Sequence, residues 1–330
     1  MNMYKDILVN NEVSESLPKN MIVYGAPGTG KSYKINELKK LYFDTPSLYK
    51  RVTFYPSYSY AQFVGSYKPA PAYKQGESDK VKNIFGDIVD EPVINYEYIP
   101  GPVLTMILKA ISNPENNYLL IIEEINRGDA ASIFGDLFQI LDRDSSGDSE
   151  YRIELSNELK HHIQLAMDKD DELKEEIIEQ GLYIPKNLFI WATMNSADQG
   201  VTQLDSAFKR RWDFEYIDID KNCESIENEM VDINGIGNIA WNKFRCVLND
   251  KMLSDNVKED KLIGPFFIKP KDIKNKELFE KAFKYKLLMY LCEDVYRHGK
   301  DRLFYESSFS KILKSYENGE PIFKIDFDNN

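Results

Sequence analysis

One octapeptide constrains this chain more than any other feature of its sequence. It reads G-x-x-x-x-G-K-S and consists of Gly25, Ala26, Pro27, Gly28, Thr29, Gly30, Lys31 and Ser32. The apolar run 21–24 before it predicts a strand, and residues 33–41 after it predict a helix. Between a strand and a helix this spacing predicts a phosphate-binding loop. The glycines let several N–H groups point at one anion, and the helix N-terminus adds partial positive charge.

The last two side chains of the loop predict what it binds. Lys31 can reach the β- and γ-phosphates of a nucleoside triphosphate, and the Ser32 hydroxyl can bind Mg²⁺. A glycine-rich turn that binds nothing is the alternative, but such a turn has no structural use for Lys followed by Ser. We therefore expect a nucleoside triphosphate and Mg²⁺ to bind here, with Lys31 facing the surface.

A second apolar run predicts the acidic part of the same site. Residues 118–122 are continuously apolar, as is typical of a central strand covered on both faces, and Glu123 and Glu124 follow. Ligands bind at the carboxyl ends of such strands. In P-loop enzymes the first acid there serves Mg²⁺ and the second polarises the attacking water. The alternative, two solvated acids that cap a strand, is less favoured beside a P-loop.

The next buried strand is predicted over 187–193, and it leads into polar residues. The segment that follows is Met194-Asn195-Ser196-Ala197-Asp198. An Asn at the tip of a central strand can hydrogen-bond a γ-phosphate or the lytic water. A short predicted helix over 204–209 then ends in Lys209, Arg210 and Arg211, and such a triplet often only compensates the helix dipole.

The alternation of strands and helices predicts an α/β fold, and the length of 330 residues predicts more than one hydrophobic core. Helices dominate after Asp218, so we expect a large α/β domain over 1–218 and a small α-helical domain over 219–330. We also predict a hairpin-rich connection over 68–102, an amphipathic helix over 130–141 and a hairpin strand over 151–155. A charged helical insertion is predicted over 157–180, and three late helices over 237–250, 276–298 and 308–316. An aromatic segment, 55–67, is more typical of packing than of base stacking.

Composition narrows the function. A net charge of −12 argues against a nonspecific DNA-binding face over the whole surface, although a basic strip in an oligomer's channel is compatible with it. There is no apolar run of about 20 residues and no signal-peptide layout, so we expect no membrane contact. The cysteines, Cys223, Cys246 and Cys292, show no metal or disulfide spacing. They indicate a reducing compartment, and we expect a cytoplasmic protein.

These segments, in this order, resemble the AAA+ motor ATPases, and among them the McrB-type motor subunit of modification-dependent restriction systems. The resemblance extends over about 20–325. The motifs that carry it are Ser57-Tyr58-Ser59-Tyr60 with Phe63 and Tyr67, Glu124-Ile125-Asn126-Arg127, Met194-Asn195-Ser196-Ala197-Asp198, Arg210-Arg211, and Leu262-Ile263-Gly264-Pro265-Phe266-Phe267. It implies a P-loop NTPase with a parallel-sheet core domain and a helical lid.

The resemblance also implies roles for residues. Residues 25–32 cradle the triphosphate, Ser32 and Glu123 serve Mg²⁺, and Glu124 activates water. Asn195 is the sensor-1 residue, and Asp198 completes the family's M-N-x-x-D signature loop, residues 194–198. Arg210 and Arg211 reach a neighbouring subunit's nucleotide, which implies a homo-oligomeric ring, expected to be a hexamer. Its expected partners are an McrC-like nuclease subunit and DNA, which is handled indirectly or through the ring channel.

Three departures from the family's pattern accompany the resemblance. Glu123 stands where Asp is usual, Gln199-Gly200 stand where Arg-Ser is usual, and only about 20 residues precede the first strand. We therefore expect DNA recognition on another chain or on a missing part. The choice between GTP and ATP stays open. The alternatives are a MoxR or dynein-related remodelling ATPase, which acts on proteins, and a nucleotide-gated switch with little turnover.

Overall fold

The computed structural model describes residues 17–74, 76, 80–167, 172–195, 202–221 and 223–327. The strands are β1 (Asn20–Tyr24), β2 (Tyr49–Thr53), β3 (Gly65–Tyr73), β4 (Lys80–Lys82), β5 (Ile88–Asp90), β6 (Pro92–Pro100), β7 (Tyr118–Glu123), β8 (Leu188–Met194), β9 (Asp213–Tyr216), β10 (Met230–Ile233) and β11 (Gly237–Ala240). The α-helices are α1 (Lys31–Tyr42), α2 (Tyr60–Phe63), α3 (Pro102–Ser112), α4 (Ala130–Phe134), α5 (Asn157–Ala166), α6 (Glu172–Gln180), α7 (Ser206–Lys209), α8 (Trp241–Ser254), α9 (Pro270–Ile273), α10 (Lys276–Ala282) and α11 (Phe309–Glu317).

The central sheet has five strands in the order β2-β7-β8-β1-β9. β7 pairs in parallel with both β2 and β8, with Thr53 opposite Glu123 and Tyr118 opposite Leu188. Every residue of β7 and β8 except the last is buried, because both strands are apolar on both faces. The predicted α/β fold with a parallel sheet is therefore confirmed.

The chain divides into two compact units that are not continuous in sequence. The first comprises the described residues within 1–21, 39–192 and 202–213, and the second those within 22–38, 193–201 and 214–330. The division passes through β1, so the P-loop belongs to the second unit together with the C-terminal helices. The predicted domain boundary near residue 219 stays a prediction.

The second unit has a largely helical core. Trp241 and Phe244 on α8 are fully buried with Phe283, which begins a π-helical continuation of α10. The helix predicted over 237–250 begins only at Trp241. The residues before it form the antiparallel β10–β11 hairpin, whose turn holds Gly235 at a φ of +80°.

The predicted helix over 130–141 ends early. Helix α4 stops at Phe134, and a 3₁₀ segment, Gly135–Leu141, follows. Gly135 has a φ of +51°, and a Cβ there would lie 2.7 Å from the ring of Tyr60. A glycine with a positive φ therefore interrupts a pattern that is helical in sequence, and its missing Cβ leaves room for a distant aromatic ring.

Two insertions follow their predictions closely. Most of the connection over 68–102 belongs to the β3–β6 hairpin, which begins earlier, at Gly65, and pairs Gly65 with Pro100 and Tyr73 with Pro92. The charged insertion over 157–180 contains α5 and α6, which contact each other. The strand predicted over 151–155 is reduced to one bridge, from Ile153 to Leu182. No helix in the described part of the chain is long and apolar enough to cross a membrane.

Candidate nucleotide-binding site

The P-loop has the backbone that an anion site requires. Gly25 and Gly28 have φ values of +153° and +80°, which residues that carry a side chain rarely adopt. A Cβ on Gly25 would lie 2.6 Å from the carbonyl oxygen of Ile217, and one on Gly28 would lie 2.4 Å from the amide nitrogen of Phe267. Both glycines are therefore required by conformation and by space.

Lys31, the first residue of α1, folds back over the loop. Its Nζ donates hydrogen bonds to the carbonyl oxygens of Gly25 at 2.9 Å and Ala26 at 3.0 Å. The residue is only 8% exposed, so the expectation of a surface-facing lysine is wrong. The ammonium is therefore held by neutral carbonyl oxygens of the loop. A phosphate is a charged acceptor and would form stronger hydrogen bonds with it.

The two acids after β7 have different surroundings. Glu123 is 14% exposed at its side chain and pairs with Arg51 of the neighbouring strand β2. Glu124 has a left-handed backbone with a φ of +56°, which costs on the order of 1 kcal/mol in a residue with a side chain. Its Oε2 lies 3.8 Å from Nε of Arg127. Such strain at a strand tip is typical of functional positions.

Sequence reasoning gave Asn126 no role, yet it is only 3% exposed. The main-chain carbonyl oxygen of Asn126 accepts a hydrogen bond from the main-chain amide of Thr202 at 2.8 Å. Asn126 therefore holds the first described residue after the signature loop. The only sequence signal was its place in the motif 124–127. Asn195 follows directly after β8 and is half-buried, whereas Asp198 lies outside the described residues.

Part of the aromatic segment packs in the core, whereas Tyr55, Tyr60 and Tyr67 are exposed. Phe54 and Phe63 are fully buried, and Tyr58 stacks on Phe54 with the ring centroids 5.1 Å apart. Burial raises the pKa of the Tyr58 phenol. Ser59 and Gln62 form a capping box at the start of α2.

The structure separates the two arginines. The Arg211 side chain is 7% exposed, and its Nη2 lies 2.8 Å from Oδ2 of Asp142. Its guanidinium also lies over the ring of Phe138, and its Nη1 donates to the carbonyl of Ala207 at 2.7 Å. Arg210 is exposed. Arg211 is thus held by partners within its own chain, whereas the side chain of Arg210 is left at the surface.

The residues present fit a magnesium–nucleotide ligand. The Ser32 hydroxyl is a hard oxygen donor of the kind that Mg²⁺ prefers. The positive-φ glycines, Lys31 and the N-terminus of α1 supply the donors and positive charge that a triphosphate requires.

Residues 20–212 match the AAA domain of the dynein-related subfamily. The chain belongs to this AAA family. It is 43% identical over 334 residues to the type II restriction enzyme BsuMI component YdiS of Bacillus subtilis strain 168, a match that covers 98% of this chain and 93% of that protein.

A second relative is more distant. The EcoKMcrB subunit of a type IV methyl-directed restriction enzyme from Escherichia coli K12 is 24% identical over 254 residues, which are 76% of this chain and 46% of that protein. The solved structure of NtrX from Brucella abortus covers 93% of this chain and 66% of that one at 10% identity. Its TM-score of 0.30 is too low to carry an argument. The relatives confirm the resemblance to McrB-type proteins, and the AAA domain implies a nucleoside-triphosphatase.

Proposed function

We propose that this chain is the NTP-hydrolysing AAA+ motor of a restriction or anti-phage complex, which drives DNA translocation for a partner nuclease. The observation that carries the proposal is 43% identity, over nearly the whole length of both chains, to a restriction enzyme component. The P-loop supports the enzymatic part, because its glycine geometry and Lys31 suit a triphosphate. The chain works as a homo-oligomeric ring, a hexamer, in the cytoplasm.

The proposed chemistry assigns each residue one task. Residues 25–32 bind the triphosphate, and Ser32 and Glu123 hold Mg²⁺, which would neutralise charge on the phosphate oxygens. Glu124 accepts a proton from the attacking water, and Asn195 and Asp198 orient that water. Arg51, already paired with Glu123, limits the negative charge beside the metal position.

A protein-remodelling ATPase is the second candidate, and the match to the dynein-related subfamily favours it. The two candidates differ in what accelerates hydrolysis. Steady-state hydrolysis of ATP and GTP is measured with the chain alone, with the cognate nuclease and DNA, and with unfolded or folded client proteins. Stimulation by the nuclease partner supports the motor, whereas stimulation by client proteins alone would replace it with the remodeller.

Partner-dependent activity is the first expected result. Hydrolysis by the chain alone is slow, and an McrC-like partner raises it by about tenfold or more, because a tenfold increase needs only about 1.4 kcal/mol of transition-state stabilisation. Asp198→Ala loses most of the stimulated rate and keeps nucleotide affinity. A parent chain that is fast alone and indifferent to the partner would contradict this regulation.

Substitution of Arg210 and substitution of Arg211 are expected to have different effects. Arg210→Ala lowers hydrolysis in the ring and leaves nucleotide binding by the monomer unchanged. Arg211→Ala lowers the melting temperature, because it leaves the partly buried Asp142 without its cationic partner, at a cost of about 3 kcal/mol.

Mixed rings of Arg210→Ala and Glu124→Gln subunits recover part of the hydrolysis, since some interfaces contain both intact groups. Mixtures without any recovery would argue against a shared site.

A further inference from the structure

Helix α8 carries a polar stripe through the core of the second unit. Trp241, Arg245 and Asn249 are spaced by four residues, so they share one helix face, and all three are at most 5% exposed. An arginine that is 0% exposed is unusual in an apolar core and must be held by specific partners. The three side chains must therefore form hydrogen bonds with another segment of the same chain.

That segment is the main chain of residues 263–267, here named the clasp segment. Trp241 Nε1 donates to the Pro265 carbonyl at 3.0 Å. Asn249 donates to the Ile263 carbonyl at 3.0 Å and accepts from the Ile263 amide at 2.9 Å. Arg245 Nη1 donates to the same carbonyl at 3.3 Å. Three buried side chains thus fix the position of the clasp segment.

The clasp segment in turn holds the P-loop. The Gly264 amide donates to the Pro27 carbonyl at 2.9 Å, and the Phe266 amide donates to the Gly28 carbonyl at 2.8 Å. The approach is so close that a Cβ on Gly264 would lie 2.4 Å from the carbonyl carbon of Gly28. No side chain fits at position 264 unless the two segments move apart.

The same arginine also contacts the segment that follows β9. Arg245 Nη1 donates to the Ile219 carbonyl at 3.3 Å, and its Nη2 lies 2.8 Å from Oδ1 of Asp220. Two residues before Ile219, the Ile217 amide donates to the Tyr24 carbonyl at 2.9 Å, directly before the P-loop. One buried guanidinium therefore joins both segments that contact the loop.

These contacts have a consequence for anion binding. A phosphate site needs the loop's N–H groups to point inward, which requires its carbonyls to point elsewhere. The two clasp amides hold the Pro27 and Gly28 carbonyls in place before any ligand arrives. A loop ordered in advance binds more tightly, because less conformational freedom is lost on binding.

We propose that the clasp segment is a positioning element for the P-loop, with Gly264, Arg245 and Asn249 as positioning residues that set nucleotide affinity. The inference rests on the proposed nucleotide binding and deepens it, because it connects affinity at the P-loop to helix α8.

The first test substitutes the glycine at the closest approach. Gly264→Ala is expected to raise the nucleotide Kd and the KM of hydrolysis at least tenfold, while kcat at saturation stays close to that of the parent. Gly299→Ala is the matched control, since its Cβ would lie 3.4 Å from the flexible side chain of Arg302, and it should leave Kd unchanged. A Kd for Gly264→Ala equal to the parent's would overturn the proposal. A parent that binds no nucleotide refutes the proposed function instead.

The second test needs no substitution and remains decisive even if Gly264→Ala fails to fold. Hydrogen exchange of the full-length parent is followed at the amides of Gly264 and Phe266, with and without Mg²⁺ and ATP or GTP. Both amides are expected to be protected without nucleotide and to exchange more slowly with it. Exchange at the rate of an unstructured peptide in the nucleotide-free protein would refute the clasp, whatever the nucleotide affinity proves to be.

Discussion

Lys31→Ala is expected to abolish measurable nucleotide binding while the chain stays folded. Lys31 supplies the only side-chain cation of the octapeptide, and its ammonium already lies over the loop, 2.9 Å from the Gly25 carbonyl oxygen. Hydrogen bonds to charged groups contribute about 1.5–3 kcal/mol each, so losing more than one lowers affinity by at least about a hundredfold. Calorimetric titration of ATP and GTP in the presence of Mg²⁺ measures the loss.

The control for this experiment is another lysine on the same helix. Lys34 lies three residues further along α1 and pairs with Glu215. Lys34→Ala should bind nucleotide as the parent does, and both variants should keep the parent's far-ultraviolet circular dichroism. Equal affinity of Lys31→Ala and the parent would remove the basis for the P-loop assignment.

Glu124→Gln is expected to bind nucleotide normally and to hydrolyse it about a hundredfold more slowly or worse. An amide cannot accept the proton of the attacking water, and loss of a general base costs on the order of a hundredfold or more. The side chain keeps its shape, and the left-handed backbone at this position is equally strained in both variants. Single-turnover hydrolysis measures the chemical step, and it also shows whether the parent is a switch with little turnover.

Glu123→Gln is the matched comparison because the same change is made one residue earlier. It removes a proposed metal ligand and the partner of Arg51, so we expect weaker Mg²⁺-dependent nucleotide binding. A larger hydrolysis defect in Glu123→Gln than in Glu124→Gln, with binding intact, would reverse the roles of the two acids. That result would leave the P-loop assignment untouched.

Much of the core was predictable from local pattern. A continuous apolar run suits only a strand covered on both faces, so β7 and β8 were identified to within a residue or two. Elements whose geometry depends on distant residues were not. The helix predicted over 130–141 breaks at Gly135, whose missing Cβ leaves room for the ring of Tyr60, and no periodicity within the segment records that contact.

The sequence by itself predicted the phosphate loop and the acids after β7, because each is a run of residues adjacent in the chain. It also identified membership of the AAA family, from short motifs in a fixed order. Tertiary structure alone distinguished Arg210 from Arg211, since only packing brings Asp142 to one of them. It alone also revealed that Arg245 and Asn249 form hydrogen bonds with the clasp segment, which in turn donates hydrogen bonds to the P-loop. The physical reason is that hydrogen bonds of buried side chains join segments far apart in sequence, and no local pattern encodes their partners.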